Sequence, residues 1–241
     1  MLLTKECARV SRLWAQILAA RRLDRLEEMK ADLEKLHGIQ VTVSKLDIMD
    51  PVACDQFYES LPVELRESVD ILVNNAGLAK TPSLSYEVNW TEMNIMIDTN
   101  VKGVVKMLNM FVPNMVKRNS GHIITVGSIA GKDSYPNGSI YCGTKHMVEA
   151  INTSLRHELV ASQIRVSLIS PGMVETEFSV VRFGDKEKAD NVYKGIHPLN
   201  GDDIADNIVY VASRPPHVQV VDIITFPTNQ AAVTTVHRQK Q

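Results

Sequence analysis

Glycine is missing from the start of this chain: the first is Gly38, so no glycine-rich turn can be written for the stretch before it. Cysteine is nearly as sparse. The three present, Cys7, Cys54 and Cys142, are odd in number, far apart and free of any C-x-x-C spacing, which excludes a disulfide framework and a zinc site and suits a reducing compartment. Aromatics are 5% of residues, no basic run is interleaved with them, and the formal net charge is -2, so nothing electrostatic points to nucleic acid or an anionic membrane. Long apolar runs are lacking too. The opening Met1-Leu2-Leu3 breaks at Lys5 and Glu6, too soon for a signal peptide, and no later run approaches membrane-spanning length; a cytoplasmic protein is expected. The seven histidines are scattered without ligand spacing, so no metal is expected.

The 241 residues are 44% hydrophobic and 22% charged, enough for one well-buried core. Short β-branched apolar runs alternate with longer amphipathic stretches, the pattern of a parallel α/β sheet. The runs predict strands at Ile17 to Ala20, Val41 to Leu46, Val69 to Val73, His122 to Val126, Arg165 to Ile169 and Asp222 to Phe226. Helices are predicted at Leu23 to Leu36, Pro51 to Ser60, Trp90 to Lys117, Ile140 to Val160 and Asp202 to Ala212, with Pro113 expected to kink or restart the third. Crossovers of this length make a Rossmann-like doubly wound parallel sheet in a single domain the economical topology. Ligands of such sheets sit at the carboxyl ends of the strands. Arg21 and Arg22, Asp47, Asn74 to Gly77, Ser128, and Pro171 with Gly172 all fall there, so one crevice can collect them.

Tyr141 and Lys145 are four residues apart, which on a helix puts them on one face. A phenol is a poor acid or base at neutral pH, and a nearby ammonium lowers its pKa by favouring the phenolate. Ser128, at a strand end, can hold a substrate oxygen while Tyr141 moves a proton: general acid-base chemistry at a carbonyl or alcohol, with the hydride supplied by a cofactor. A lone Tyr-x-x-x-Lys would ordinarily be a half-buried aromatic beside a solvated charge. Here it stands in company. The chain reads V-D-I-L-V-N-N-A-G (Val69 to Gly77), N-V-K-G (Asn100 to Gly103), G-H-I-I-T-V-G-S-I-A-G (Gly121 to Gly131), Y-C-G-T-K (Tyr141 to Lys145) and I-S-P-G-M-V-E-T (Ile169 to Thr176).

In order and spacing, with twelve residues between Ser128 and Tyr141, these strings resemble the short-chain dehydrogenase/reductase family. The resemblance implies roles position by position. Tyr141 is the expected catalytic acid or base, with Lys145 lowering its pKa and binding the nicotinamide ribose. Ser128 holds the substrate oxygen, and Asn100 anchors a water in the proton relay. Asn74, Ala76 and Gly77 line the cofactor and Asp47 lies near its adenine. Pro171 to Thr176, including Gly172, holds the nicotinamide carboxamide, chiefly through the Val174 backbone and the Thr176 hydroxyl. Arg21 and Arg22 stand where an enzyme for NAD would carry an acid to hold ribose hydroxyls; two guanidinium groups suit a 2'-phosphate, so NADP is the expected cofactor.

Three further strings, I-L-A-A-R-R-L-D-R-L (Ile17 to Leu26), E-T-E-F-S-V-V-R-F (Glu175 to Phe183) and V-H-R-Q (Val236 to Gln239), resemble the NADP-dependent 3-hydroxy acid dehydrogenases, also described as serine dehydrogenases, of fungi and bacteria. The reaction so implied interconverts a 3-hydroxy acid such as serine or 3-hydroxypropionate and its carbonyl product. Arg182 either pairs with the substrate carboxylate or is a surface or subunit-contact arginine. Cys142 is read as an inert neighbour of Tyr141. The resemblance also implies a homo-oligomer, a tetramer built on the long helices.

Family members open with a strand and a T-G-x-x-x-G-I-G loop, and this chain has neither ahead of Ile17. The expectation is therefore one domain spanning 1–241, incomplete at its N-terminus, with Leu2 to Leu13 as the tail of the helix that follows the loop. A non-catalytic member, acting as a binding or oligomer-forming subunit, is the alternative that this absence motivates.

Overall fold

A computed structural model describes residues 15–239, and the helix tail expected at 2–13 lies outside them, as does Cys7. All strand pairing is parallel, and among the described residues it falls into two sheets. The smaller joins β1 (Ala15–Ala20) to β2 (Gln40–Lys45), with Ile17 opposite Thr42. The larger has the order β3 (Ile71–Asn74), β4 (Gly121–Val126), β5 (Ile164–Pro171) and β6 (Asp222–Thr225). No described strand pairs with both β1 and β3.

Helices connect these strands: α1 (Leu23–His37), α2 (Pro51–Ser60), α3 (Val63–Glu67), α4 (Trp90–Ile97), α5 (Gly103–Lys117), α6 (Ser139–Glu158), α7 (Glu177–Phe183), α8 (Lys186–Tyr193) and α9 (Gly201–Ala212). Their ends follow local chemistry. Asp50 caps α2 by accepting from the Val52 and Ala53 amides, with Pro51 in the first turn where no N–H is missed. α1 stops at Gly38, whose φ of 63° is left-handed and cheap only for glycine. Asn200 and Asp203 form a reciprocal capping box on α9.

Pro113 behaves differently from expectation. It does not restart its helix; α5 runs through it to Lys117. Pro113 and Asn109, one turn back, are both exposed, so the carbonyl that loses its N–H partner can meet water, while Phe111, Val112 and Met115 on the other side are held in the core. The interruption lies earlier, where Asp98–Lys102 form a wider π turn between α4 and α5. α3, α7 and α8 are further elements that the sequence patterning did not predict.

Neighbouring residues of each strand face opposite sides, and the core divides accordingly. On one side Leu72, Ile123 and Val166 pack with Phe57 of α2 and Met107, Phe111 and Met115 of α5, and Ile17, Ala19 and Leu46 of the smaller sheet join the same cluster. On the other side the core is split. Val73, Ile124 and Ile169 pack under α9 through Ile204, Ile208 and Val211, whereas Leu18 and Val41 pack under α1 through Leu26 and Leu33. Among the described residues no helix is long and apolar enough to cross a membrane.

Candidate active site

The carboxyl ends of the strands supply the site. β4 ends at Val126, and two residues on Ser128 caps a short 3-10 turn, Ile129–Gly131, its hydroxyl accepting from the Ala130 amide at 3.1 Å. Gly131 is required there: a Cβ would sit 2.8 Å from the Lys145 carbonyl oxygen. That backbone approach holds the turn against α6, whose first two turns carry Tyr141 and Lys145.

Lys145 is buried, and its Nζ donates to the Val126 carbonyl at 3.0 Å. Burial lowers its pKa from 10.5 to about 8. The Nζ lies 6.0 Å from the centre of the Tyr141 ring. The residue-level expectation that Lys145 depresses the Tyr141 pKa is not met. Burial pushes the phenol above its ordinary value; the Ser128 hydroxyl and the more distant Arg182 charge only oppose that rise. Desolvation wins because the ring is roofed by Phe178 of α7, at 5.8 Å between centroids, while the Lys145 ammonium is directed to a backbone carbonyl.

Asn100 occupies the π turn and is 1% exposed. Its amide makes a two-way bond to Leu78, Oδ1 accepting from the Leu78 N–H at 2.8 Å and Nδ2 donating to the Leu78 carbonyl at 2.8 Å. The second Nδ2 hydrogen goes to Thr144 Oγ1 at 3.0 Å, and Thr144 itself donates to the Tyr141 carbonyl at 2.7 Å. The side chain thus pins the loop after β3 to the helix of Tyr141 and Lys145. Thr144, inside the Y-C-G-T-K string, went unassigned in the sequence; its position between Tyr141 and Lys145 was the available signal.

Asn74 ends β3 and is buried with its Nδ2 unpartnered, and Gly77 stands so that a Cβ would lie 3.4 Å from Lys145 Nζ and 3.5 Å from Asn100 Oδ1. A buried donor without a partner, next to a position where a side chain would fill the space over Lys145, fits a polar ligand lying along the β3 end. Ala76 is half-buried in the same loop. Asp47 follows β2 and closes a tight turn, accepting from the Met49 amide at 3.1 Å. Arg21 and Arg22 follow β1 and are exposed.

Pro171 ends β5. Gly172 donates to the Thr225 carbonyl at 2.8 Å and Met173 to Gln230 Oε1 at 2.9 Å, so the loop is strapped by β6 and the C-terminal segment. Val174 bridges to Leu199, and Thr176 caps α7 by accepting from the Phe178 amide. The Val174 carbonyl also accepts from the Tyr193 hydroxyl at 2.8 Å, which lies 2.6 Å from Ser179 Oγ, binding α7, α8 and the loop into one unit. Arg182 lies over Tyr135, 5.7 Å from its ring centre, with its Nε buried and unpartnered. Tyr135 and Phe178, both missed in the sequence, wall the approach to Tyr141. Among the described residues no group of three or more His, Cys, Asp or Glu is arranged to hold a metal ion.

Buried Lys145 and half-buried Tyr141 and Ser128 stand together beside the carboxyl ends of the parallel strands, an arrangement able to hold and move a proton. The short chain dehydrogenase family model matches residues 7–187, and the chain belongs to that family of oxidoreductases. It is 42% identical over 225 residues to an NADP-dependent 3-hydroxy acid dehydrogenase of Schizosaccharomyces pombe, covering 93% of this chain and 86% of that protein. A serine 3-dehydrogenase of Agrobacterium fabrum is 37% identical over 220 residues, covering 90% and 86%. Among solved structures, the closed form of serine dehydrogenase complexed with NADP+ superposes with a TM-score of 0.87 at 38% identity, over 97% of this chain and 95% of that one.

Proposed function

We propose that this chain is an NADP-dependent oxidoreductase interconverting a 3-hydroxy acid, such as serine or 3-hydroxypropionate, and its carbonyl product. The observation that carries the reading is half-buried Tyr141, packed against Phe178 at 5.8 Å between ring centroids, one helix turn before buried Lys145 on the helix that closes on the Ser128 turn. A nicotinamide, when bound, accepts or supplies the hydride. The protein's own groups handle the proton and the substrate. Ser128 orients the substrate oxygen and Tyr141 takes its proton in oxidation or returns it in reduction. Lys145 sits beneath Gly77 to hold the nicotinamide ribose. Asn100 positions this group and retains one Oδ1 lone pair for a relay water. The unpartnered Arg182 Nε, facing the Tyr135 wall, supports a carboxylate at the far end of the substrate.

Asn74, Ala76 and Gly77 line the dinucleotide, Asp47 flanks the adenine, and the Val174 backbone and Thr176 hydroxyl take the carboxamide. Arg21 and Arg22 receive the 2'-phosphate. Buried free thiols at Cys54 and Cys142 suit a reducing cytoplasm. Assembly as a tetramer would cover apolar side chains left exposed on the long helices, Val116 of α5 and Met147 of α6 among them.

One observation favours a second reading, a binding or oligomer-forming subunit without catalysis: among the described residues nothing pairs with both β1 and β3, and no glycine-rich loop faces the crevice between them. Titration with NADPH and NADH, followed by turnover on L-serine and 3-hydroxypropionate, separates the two. The enzyme reading expects NADPH preferred, with Arg22→Ala narrowing that preference about tenfold, on the scale of ~1.4 kcal/mol for a charge-assisted contact. Absence of binding at millimolar NADPH leaves the subunit reading.

A further inference from the structure

Glu177 joins two regions far apart in sequence. Its Oε2 lies 2.6 Å from Arg22 Nη1 and its Oε1 2.8 Å from Arg25 Nη2. The arginines come from the corner where β1 becomes α1, and the carboxylate opens α7, immediately after Thr176. An acid in the first turn of a helix is favoured by the helix dipole wherever that helix points. The dipole does not account for two guanidinium groups reaching it from residues 152 to 155 positions away, each engaging a separate oxygen. With Phe178 against Tyr141, the pairs show that the first turn of α7 lies across the crevice from the β1 end to the catalytic helix.

We infer that Glu177 is the latch of this roof: by bridging Arg22 and Arg25 it fastens α7 to the adenosine end of the crevice and encloses the dinucleotide beneath. The inference rests on the NADP reading above and adds a positioning residue to it. Glu177 need not compete with the 2'-phosphate for Arg22. It engages Nη1 alone, leaving the Nε and Nη2 edge of the guanidinium for an anion, while Arg25 supplies a second positive charge to the carboxylate. The rest of the lid moves with the latch, because Ser179, Tyr193 and the Val174 carbonyl tie α7 and α8 to the carboxamide loop. The pairs are about half exposed, so each shifts an equilibrium by only about 1.5- to 5-fold, which makes the latch reversible on every turnover and sensitive to salt.

The test uses the full chain with Glu177→Gln and, separately, Arg25→Ala, and two probes, NADPH and adenosine 2',5'-bisphosphate. Amide exchange across Phe178–Phe183 is followed without cofactor. The expected result is an NADPH dissociation rate raised about 3- to 20-fold in Glu177→Gln and by a smaller factor in Arg25→Ala. Affinity for the bisphosphate, which reaches only the Arg22 end and does not span the roof, stays within about twofold, and α7 exchanges faster in both variants. Unchanged dissociation with unchanged exchange overturns the latch. Equal weakening of NADPH and bisphosphate also overturns it, since Glu177 would then merely order Arg22. If the unmodified chain binds neither probe, the NADP reading and the enclosure both fall, and the exchange result alone shows whether α7 is fastened.

Discussion

The four-stranded and two-stranded sheets each carry half of the proposed crevice, and they are secured in different ways. The larger supports Asn74, Ser128 and the Pro171 loop, and is covered on both faces by clusters drawn from α2, α5 and α9. The smaller carries Arg21, Arg22 and Asp47. One of its faces shares the core of the larger sheet, and among the described residues the other is covered by α1, through Leu18, Leu26, Leu33 and Val41. Two parallel strands are marginal by themselves. The proposed proton transfer therefore rests on the four-stranded half, and the proposed recognition of the adenosine end on the half for which the described residues supply less packing. The Glu177 bridge from α7 spans from one to the other.

Paired core substitutions should break or sharpen this contrast. Ile123→Ala, at a fully buried β4 position, is expected to lower global stability by about 2–5 kcal/mol, read as a shift in the urea midpoint. Leu33→Ala, nearly as buried in α1, should instead raise amide exchange in β1 and β2 with a smaller midpoint shift, because those strands can open without the larger sheet. Equal midpoint shifts in the two variants would show that both sheets unfold as one unit.

An effect confined to acid pH comes from His122, buried in β4. Its Nε2 lies 2.9 Å from Ser167 Oγ, and that hydroxyl donates to the Val220 carbonyl, so the ring Nε2–H donates to Ser167. Burial, with Arg165 adding repulsion, lowers the pKa from 6.5 to about 3. The unfolded chain then binds the proton more readily than the folded one. The stability His122 contributes is complete above about pH 6.5 and is lost as pH falls toward 3, by up to about 1.4 kcal/mol per pH unit. Acid unfolding of the full chain and of His122→Asn should diverge across that window, and protection in the larger sheet should fall first. Parallel curves would count against it.

How far the sequence foretold all this differs between the same regions. Every described strand lies within two residues of an apolar run, because buried parallel strands leave a continuous β-branched signature, and a helix was expected near Pro51 to Ser60, where α2 lies. The placement of Tyr141 and Lys145 on one helix was legible from their spacing. The π turn at Asp98–Lys102 was not, since a one-residue change of helical phase leaves no mark in hydrophobic pattern. Nor were α7 and α8, which are short and take their position from contacts such as Tyr193 with Ser179. The direction of the Tyr141 shift was misjudged for the same reason. Spacing reports the nearby ammonium of Lys145, while the burial that outweighs it depends on a roof supplied by Phe178. The pairing of Arg22 with Glu177 likewise joins residues that no local pattern connects.

The central claim is that Tyr141 moves the proton at this site. Its most direct test is the NADP+-dependent oxidation of L-serine or 3-hydroxypropionate by the unmodified chain and by Tyr141→Phe, with NADPH affinity measured for both. Tyr141→Phe keeps the ring that packs against Phe178 and removes only the hydroxyl. The account predicts turnover reduced by about 10²- to 10⁴-fold with NADPH affinity little changed. Turnover within a few-fold of the unmodified chain would contradict it.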